Sequence, residues 1–217
     1  MSSKAFEFLV GPEKKPFIIH SELVASLSPV LERLVKGNME EAQKGSVVWE
    51  HVDEQTFIRF SQYAYMRTYE YPAFRPRPQP KAGPSKASLL AVLLAMKRAS
   101  PLADGERNDA ELLLSHARLY VLADCYGITP LMKLSLNTLY SVLTVFLEWD
   151  DVADMLIKLL RYCFENDTPA ELREFVVRYA VCHIENLWER TETTELARTH
   201  AEFSSAIVEA MLYSLNC

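Results

Sequence analysis

A chain of 217 residues with a net charge of −6 and 49% hydrophobic residues is neither globally disordered nor a generally basic nucleic-acid binder, and it has room for one large domain or a domain with an extension. Its four cysteines, Cys125, Cys163, Cys182 and Cys217, lie far apart and form no CxxC pair, which predicts reduced, mostly buried thiols and a cytoplasmic or nuclear chain. The apolar stretch in MSSKAFEFLVG is too short for a signal peptide, the run Leu89–Met96 is too short to span a membrane, and Cys217 does not stand fourth from the end as prenylation requires, so no membrane association is expected.

Phe6, Phe8 and Val10 alternate with Glu7 and Leu9 and stop at Gly11-Pro12, which predicts a strand and a turn. Pro16–His20 reads as a second strand, closing a hairpin across Pro12–Lys15. Ser21 is placed to cap a short helix carrying Leu23, Val24 and Leu27. Ser28-Pro29 signals a restart, with Ser as cap and Pro at the first helical position. That helix is expected to bury Val30, Leu31, Leu34 and Val35 and to stop at Gly37. Met39-Glu40-Glu41 reads as an acidic turn, and Ser46–Glu50 as a third strand. Asp53 caps a helix with Phe57, Phe60 and Ala64 on one face.

From Tyr71 to Ala103 there is no acidic residue, but there are Arg75, Arg77, Lys81, Lys86, Lys97 and Arg98, and five prolines fall between Pro72 and Pro84. This predicts an extended, polyproline-like insertion with a short helix over Leu89–Lys97. Everything after it reads as helical. Ala110–Cys125 ends at Tyr126-Gly127, and Thr129-Pro130 opens a helix through Phe146. Asp150 is placed to cap a third. Thr168-Pro169-Ala170-Glu171 reads as a capping box opening a long helix through Trp188, and an amphipathic helix covers Ala201–Leu215.

With Phe8-Leu9-Val10-Gly11, Phe17-Ile18-Ile19-His20, Leu23, Ser28-Pro29-Val30-Leu31, Met39-Glu40-Glu41, Asp53-Glu54, Phe57, Phe60, Tyr63, Tyr65 and Leu122-Ala123-Asp124-Cys125-Tyr126-Gly127 in this order, the chain resembles the BTB/POZ family over residues 5–145. The tail, with Arg178-Tyr179-Ala180 and Leu187, is similar to the C-terminal part of BTB proteins of filamentous fungi. The resemblance implies an α+β fold, a small mixed sheet with helices around it, over residues 1–146. The Pro-rich basic insertion at 71–104 interrupts it, and an all-α extension follows over 147–217. Ala5 stands where the family usually has Asp. The extra N-terminal helix and strand that many family dimers exchange are absent before it, so a homodimer built that way is not expected.

The resemblance also implies a protein-interaction module, a scaffold or an oligomerising unit. Its alternative is a substrate adaptor of a cullin-based ubiquitin ligase. There Met39 and Glu41 fit a hydrophobic-x-Glu signal, the thioether entering a partner's groove and the carboxylate adding a charge-assisted contact. A solvated acidic turn explains the same residues without a partner. By the same resemblance Val24, Leu27 and Tyr63 belong to the partner-binding surface, and charge at Val24 or Leu27 is expected to weaken a dimer. Arg75–Lys81 never gives PxxP and reads as a solvated loop. Leu89–Met96 reads either as a docking helix or as core cover. His20 reads as a core or capping residue. Cys163, Cys182, His183 and His200 match no compact zinc motif. No GxGxxG, GxxxxGK[ST] or GxSxG occurs, and Asp150, Asp151, Asp154, Glu192 and Glu195 read as helix N-terminal acids. Neither an enzyme nor a cofactor is expected.

Overall fold

A computed structural model describes residues 4–72, 99–100, 109–146 and 152–215. The insertion's basic proline run, its Leu89–Lys97 helix, Asp150, Asp151 and Cys217 lie outside the described residues. The class is α+β, and the chain divides into two compact units, Met1–Tyr71 with Arg118–Ser135 and Pro72–Ala117 with Leu136–Cys217.

The first unit is built on strand alternation. β1 (Ala5–Val10) and β2 (Lys15–His20) form the antiparallel hairpin, with Phe8 opposite Phe17 and Phe6 opposite Ile19. The turn needs left-handed backbone at Gly11 and Lys14, with φ of 73° and 52°. Lys14 closes it by donating its N–H to the Gly11 carbonyl at 3.0 Å. β3 (Ser46–Trp49) joins the far side of β1 in parallel, giving the order β2-β1-β3. A parallel neighbour requires a crossover, and three helices supply it: α1 (Ser21–Ala25), α2 (Pro29–Lys36) and α3 (Glu40–Lys44). Phe6, Phe8, Val10, Val47 and Trp49 share the inner face and are buried.

α4 (Glu54–Met66) covers that face. Asp53 caps it as expected, its Oδ1 accepting from the Thr56 N–H at 2.9 Å. Phe57, Phe60 and Ala64 point inward, and the Phe8 ring lies 5.2 Å from Phe57 and 4.8 Å from Trp49. Such tilted and edge-on contacts add to the area term of aromatic burial. Trp49 also stacks on Tyr126 at 4.5 Å, and burial pushes the Tyr126 phenol well above its ordinary value.

Ser28 caps α2, accepting from the Leu31 N–H at 3.2 Å while its hydroxyl donates to the Tyr126 carbonyl at 2.6 Å. Two neighbouring expectations are corrected. Only Leu31 and Val35, one turn apart, are buried; Val30 is exposed and Leu34 half-buried, because so short a helix turns only a narrow stripe inward. Ser21 does not cap α1. It is the first helical residue and its N–H donates to the Lys4 carbonyl at 2.9 Å, continuing the β1–β2 ladder. His20, at the cap position, makes no side-chain cap bond. It is exposed rather than core, its Nδ1 3.0 Å from the Tyr65 hydroxyl.

Tyr71–Pro72 (β4) and Ala99–Ser100 (β5) form a second, two-stranded sheet. Helices α5 (Asp109–Cys125) and α6 (Thr129–Phe146) follow. Between them Gly127 adopts φ 65°, and Ile128 reaches back to the Ala123 carbonyl at 2.7 Å, a left-handed helix ending that favours glycine.

The second unit includes α7 (Val152–Glu165), α8 (Ala170–Val181), α9 (Ile184–Trp188), α10 (Thr191–Thr199) and α11 (Ala201–Leu215). Leu156, Leu159, Leu160 and Cys163 of α7, Leu172 and Val176 of α8, and Phe203 and Ile207 of α11 are buried. The Phe164 and Phe203 rings meet at 5.2 Å. The long helix expected from Thr168 to Trp188 is two helices. The Cys182 and His183 N–H groups donate to Tyr179 and Ala180, three residues back, and His183 leaves helical geometry at φ −124°, ψ 22°. Nor does Thr168 cap α8: its hydroxyl donates to the Cys163 carbonyl at 2.7 Å, finishing α7 instead.

Candidate functional site

Met39-Glu40-Glu41 is more than a turn. Met39 is the N-cap residue of α3, with φ −73° and ψ 159° and no side-chain cap bond. Its carbonyl accepts from the Gln43 N–H at 3.2 Å, and the Gln43 amide donates to the Asn38 carbonyl at 3.2 Å. Gly45, at φ 70°, ends the helix and donates to the Glu41 carbonyl at 2.8 Å. The backbone that carries Met39 is therefore fixed at both ends, while the Met39 side chain is 55% exposed.

The two glutamates divide. Glu40 forms an ion pair with Lys44 one turn on. That pairing, first through the hydrogen bond and then through charge, lowers the Glu40 carboxyl below its ordinary range and raises Lys44 above its own. Glu41 is half-buried and its carboxylate has no ion pair or side-chain hydrogen bond among the described residues. The arrangement thus offers an adaptable apolar side chain and, two residues on, a carboxylate that reaches Lys44 through charge alone.

The other three expected partner-binding residues are not on this surface. Val24 is 0%, Leu27 8% and Tyr63 5% exposed. They belong to the core under α1 and α4, because α1 lies against α2 and α4 and has only five residues with which to bury a face. A charge at Val24 or Leu27 would therefore strike the core of the first unit before it reached any dimer contact. Tyr63 is further fixed by the Arg67 guanidinium, 5.8 Å from its ring, with Arg67 Nη2 donating to Ser26 Oγ at 2.8 Å.

Residues that the sequence did not assign to any binding surface stand on the outer face of the sheet. Leu9 opposes Val48 on one side and Pro16 on the other, and Glu7 opposes Ile18. Ile18 is 69% exposed and Val48 is exposed as well. The signal was present in the alternation, since side chains between Phe17 and Ile19 must face away from the core. In the second unit, buried Cys163 and exposed Cys182 do not come together, and burial lowers the His183 imidazole below its ordinary value. No group of three or more His, Cys, Asp or Glu that could hold a metal ion occurs among the described residues, nor any helix long and apolar enough to cross a membrane.

No known family model matches the chain, and no curated protein matches it.

Proposed function

We propose that the chain is a non-enzymatic protein-interaction module of BTB/POZ type, acting as a scaffold or in self-association. The observation that carries the interaction reading is Met39, 55% exposed on a backbone tied down at both ends. An exposed, adaptable apolar side chain on a fixed support is what a partner's groove can take up. The BTB/POZ reading is supported by the order of elements: a hairpin, helices, a strand parallel to β1, then the aromatic helix α4.

A second reading, a substrate adaptor of a cullin-based ubiquitin ligase, is favoured by the division between the glutamates. Glu40 is hydrogen-bonded and ion-paired to Lys44, whereas Glu41 feels Lys44 only as a lesser charge effect, so the carboxylate at the third position of the hydrophobic-x-Glu signal is the one without a direct contact and open to a partner. Calorimetric titration with a cullin N-terminal domain tests this. Wild type is expected to bind with micromolar or tighter affinity, Glu41→Lys to lose binding and Glu40→Lys to retain most of it. Wild type that does not bind leaves the scaffold reading, which light scattering of the protein alone then tests.

A further inference from the structure

A groove runs between α8 and α11 in the second unit, remote in the chain from Met39 and independent of the reading placed on it. Its floor is Val177, Ala206 and Ala210, apolar and two of them small. Glu174 and Glu209 stand on its walls, exposed, with no ion pair or hydrogen bond to either carboxylate among the described residues. Tyr213 and Arg178 close one end, the guanidinium 5.9 Å from the phenol ring. Arg173, next to Glu174 in the chain, pairs with Glu202 at 2.7 Å. Among the described residues, then, two wall carboxylates stand against one cation in the lining, Arg178, which faces the Tyr213 ring.

The surrounding charge has the same sign. Between Ala170 and Leu215 there are eight glutamates, four arginines and no lysine. With a chain charge of −6 and six cations but no acid between Tyr71 and Ala103, the remaining residues carry −12.

We propose that this groove docks a basic segment of a partner protein by taking one lysine side chain lengthwise. The aliphatic stem lies on Val177, Ala206 and Ala210, and the ammonium sits between Glu174 and Glu209. A lysine suits the groove better than a small cation, because the floor is apolar along its length and a long stem covers it while the charged head stays in water. Arg178, one turn beyond Glu174 and facing Tyr213, repels the ammonium from that end and sets its direction in the groove.

The test is an NMR titration of the full chain with acetyl-Gly-Lys-Gly-amide and with the same peptide carrying norleucine for lysine. The lysine peptide is expected to shift the amides of Val177, Ala206 and Ala210. Norleucine, with the stem but no charge, should bind more weakly. Glu174→Gln and Glu209→Gln, both at exposed positions, should each weaken the lysine peptide about two- to fivefold, the range of an exposed charge pair. Equal binding of the two peptides overturns the proposal. So do shifts scattered over other glutamates, the absence of any shift, or wild-type binding by the double variant. Shifts that grow with protein concentration without peptide would assign the groove to a second copy and overturn it too.

Discussion

A Cβ placed on Gly37 would stand 2.3 Å from the carbonyl oxygen of Arg33 and 3.2 Å from its carbonyl carbon. The backbone there has φ −71° and ψ −167°, which any residue can adopt, so close approach rather than conformation demands glycine. The oxygen in the way accepts the hydrogen bond from Gly37 that ends α2, at 2.8 Å, and it cannot move aside without losing that bond. Gly37→Ala gains less than about 1 kcal/mol from a stiffer unfolded chain, whereas forcing backbone apart in a packed site costs about 1–3 kcal/mol. The clash wins. Urea unfolding should show a lower midpoint at unchanged slope, and a midpoint at or above wild type would refute the argument.

Among the elements, α1 and α3 have the same length, five residues, and opposite fates. α1 buries Ser21, Val24 and Ala25, while α3 buries nothing. Val24→Asp therefore places a carboxylate at a position with no exposure. The expected result is loss of the cooperative unfolding transition, because an unpaired buried charge together with lost apolar burial is among the costliest single changes. Met39→Ala should leave the midpoint within about 0.5 kcal/mol of wild type, as surface substitutions do, and any effect on partner binding can then be assigned to the contact. A stable Val24→Asp protein would return Val24 to the surface. The contrast marks what the sequence made legible. Caps that work by local chemistry, Ser28-Pro29 and Asp53, stand where the residue types put them, as does the alternation of Phe6, Phe8 and Val10. Ser21 and Thr168 have the same chemistry but spend it elsewhere, on Lys4 and on Cys163, partners that a local pattern cannot name. The parallel pairing of β1 with β3 and the burial of Val24, Leu27 and Tyr63 are tertiary facts. The break at Cys182-His183 carries no Gly or Pro to announce it. In the candidate site, Met39 and Glu41 were readable as a pair, but the pairing of Glu40 with Lys44, which separates the two acids, needed the helix.

For the whole molecule, both units keep weak acids under cover, and this sets how the fold should respond to alkali. Burial pushes the Cys163 thiol from an ordinary 9.0 up to about 12, and the Tyr179 phenol from 10.0 to about 12. Tyr126 in the first unit is raised as well, again chiefly by burial. Each folded-state value lies above the unfolded one, so between them the native chain holds protons that the unfolded chain has lost. Stability is then fully present below the ordinary thiol and phenol values and falls as pH rises toward 12. Within that window one fully buried group contributes a slope of about 1.4 kcal/mol per pH unit. Cys163 is at that limit, while Tyr179 is only half-buried and contributes less. The net charge of −6 adds to the decline, since deprotonation of lysines deepens it and self-repulsion disfavours the compact state. Urea midpoints measured under reducing conditions at pH 8, 9.5 and 11 should fall steadily for wild type. Cys163→Ala, less stable at pH 8 for the contacts it gives up, should fall less steeply, so that the two curves converge on the alkaline side. Parallel curves would mean that the Cys163 thiol ionises in the folded protein at its ordinary value, and that the interior of α7 is open to water.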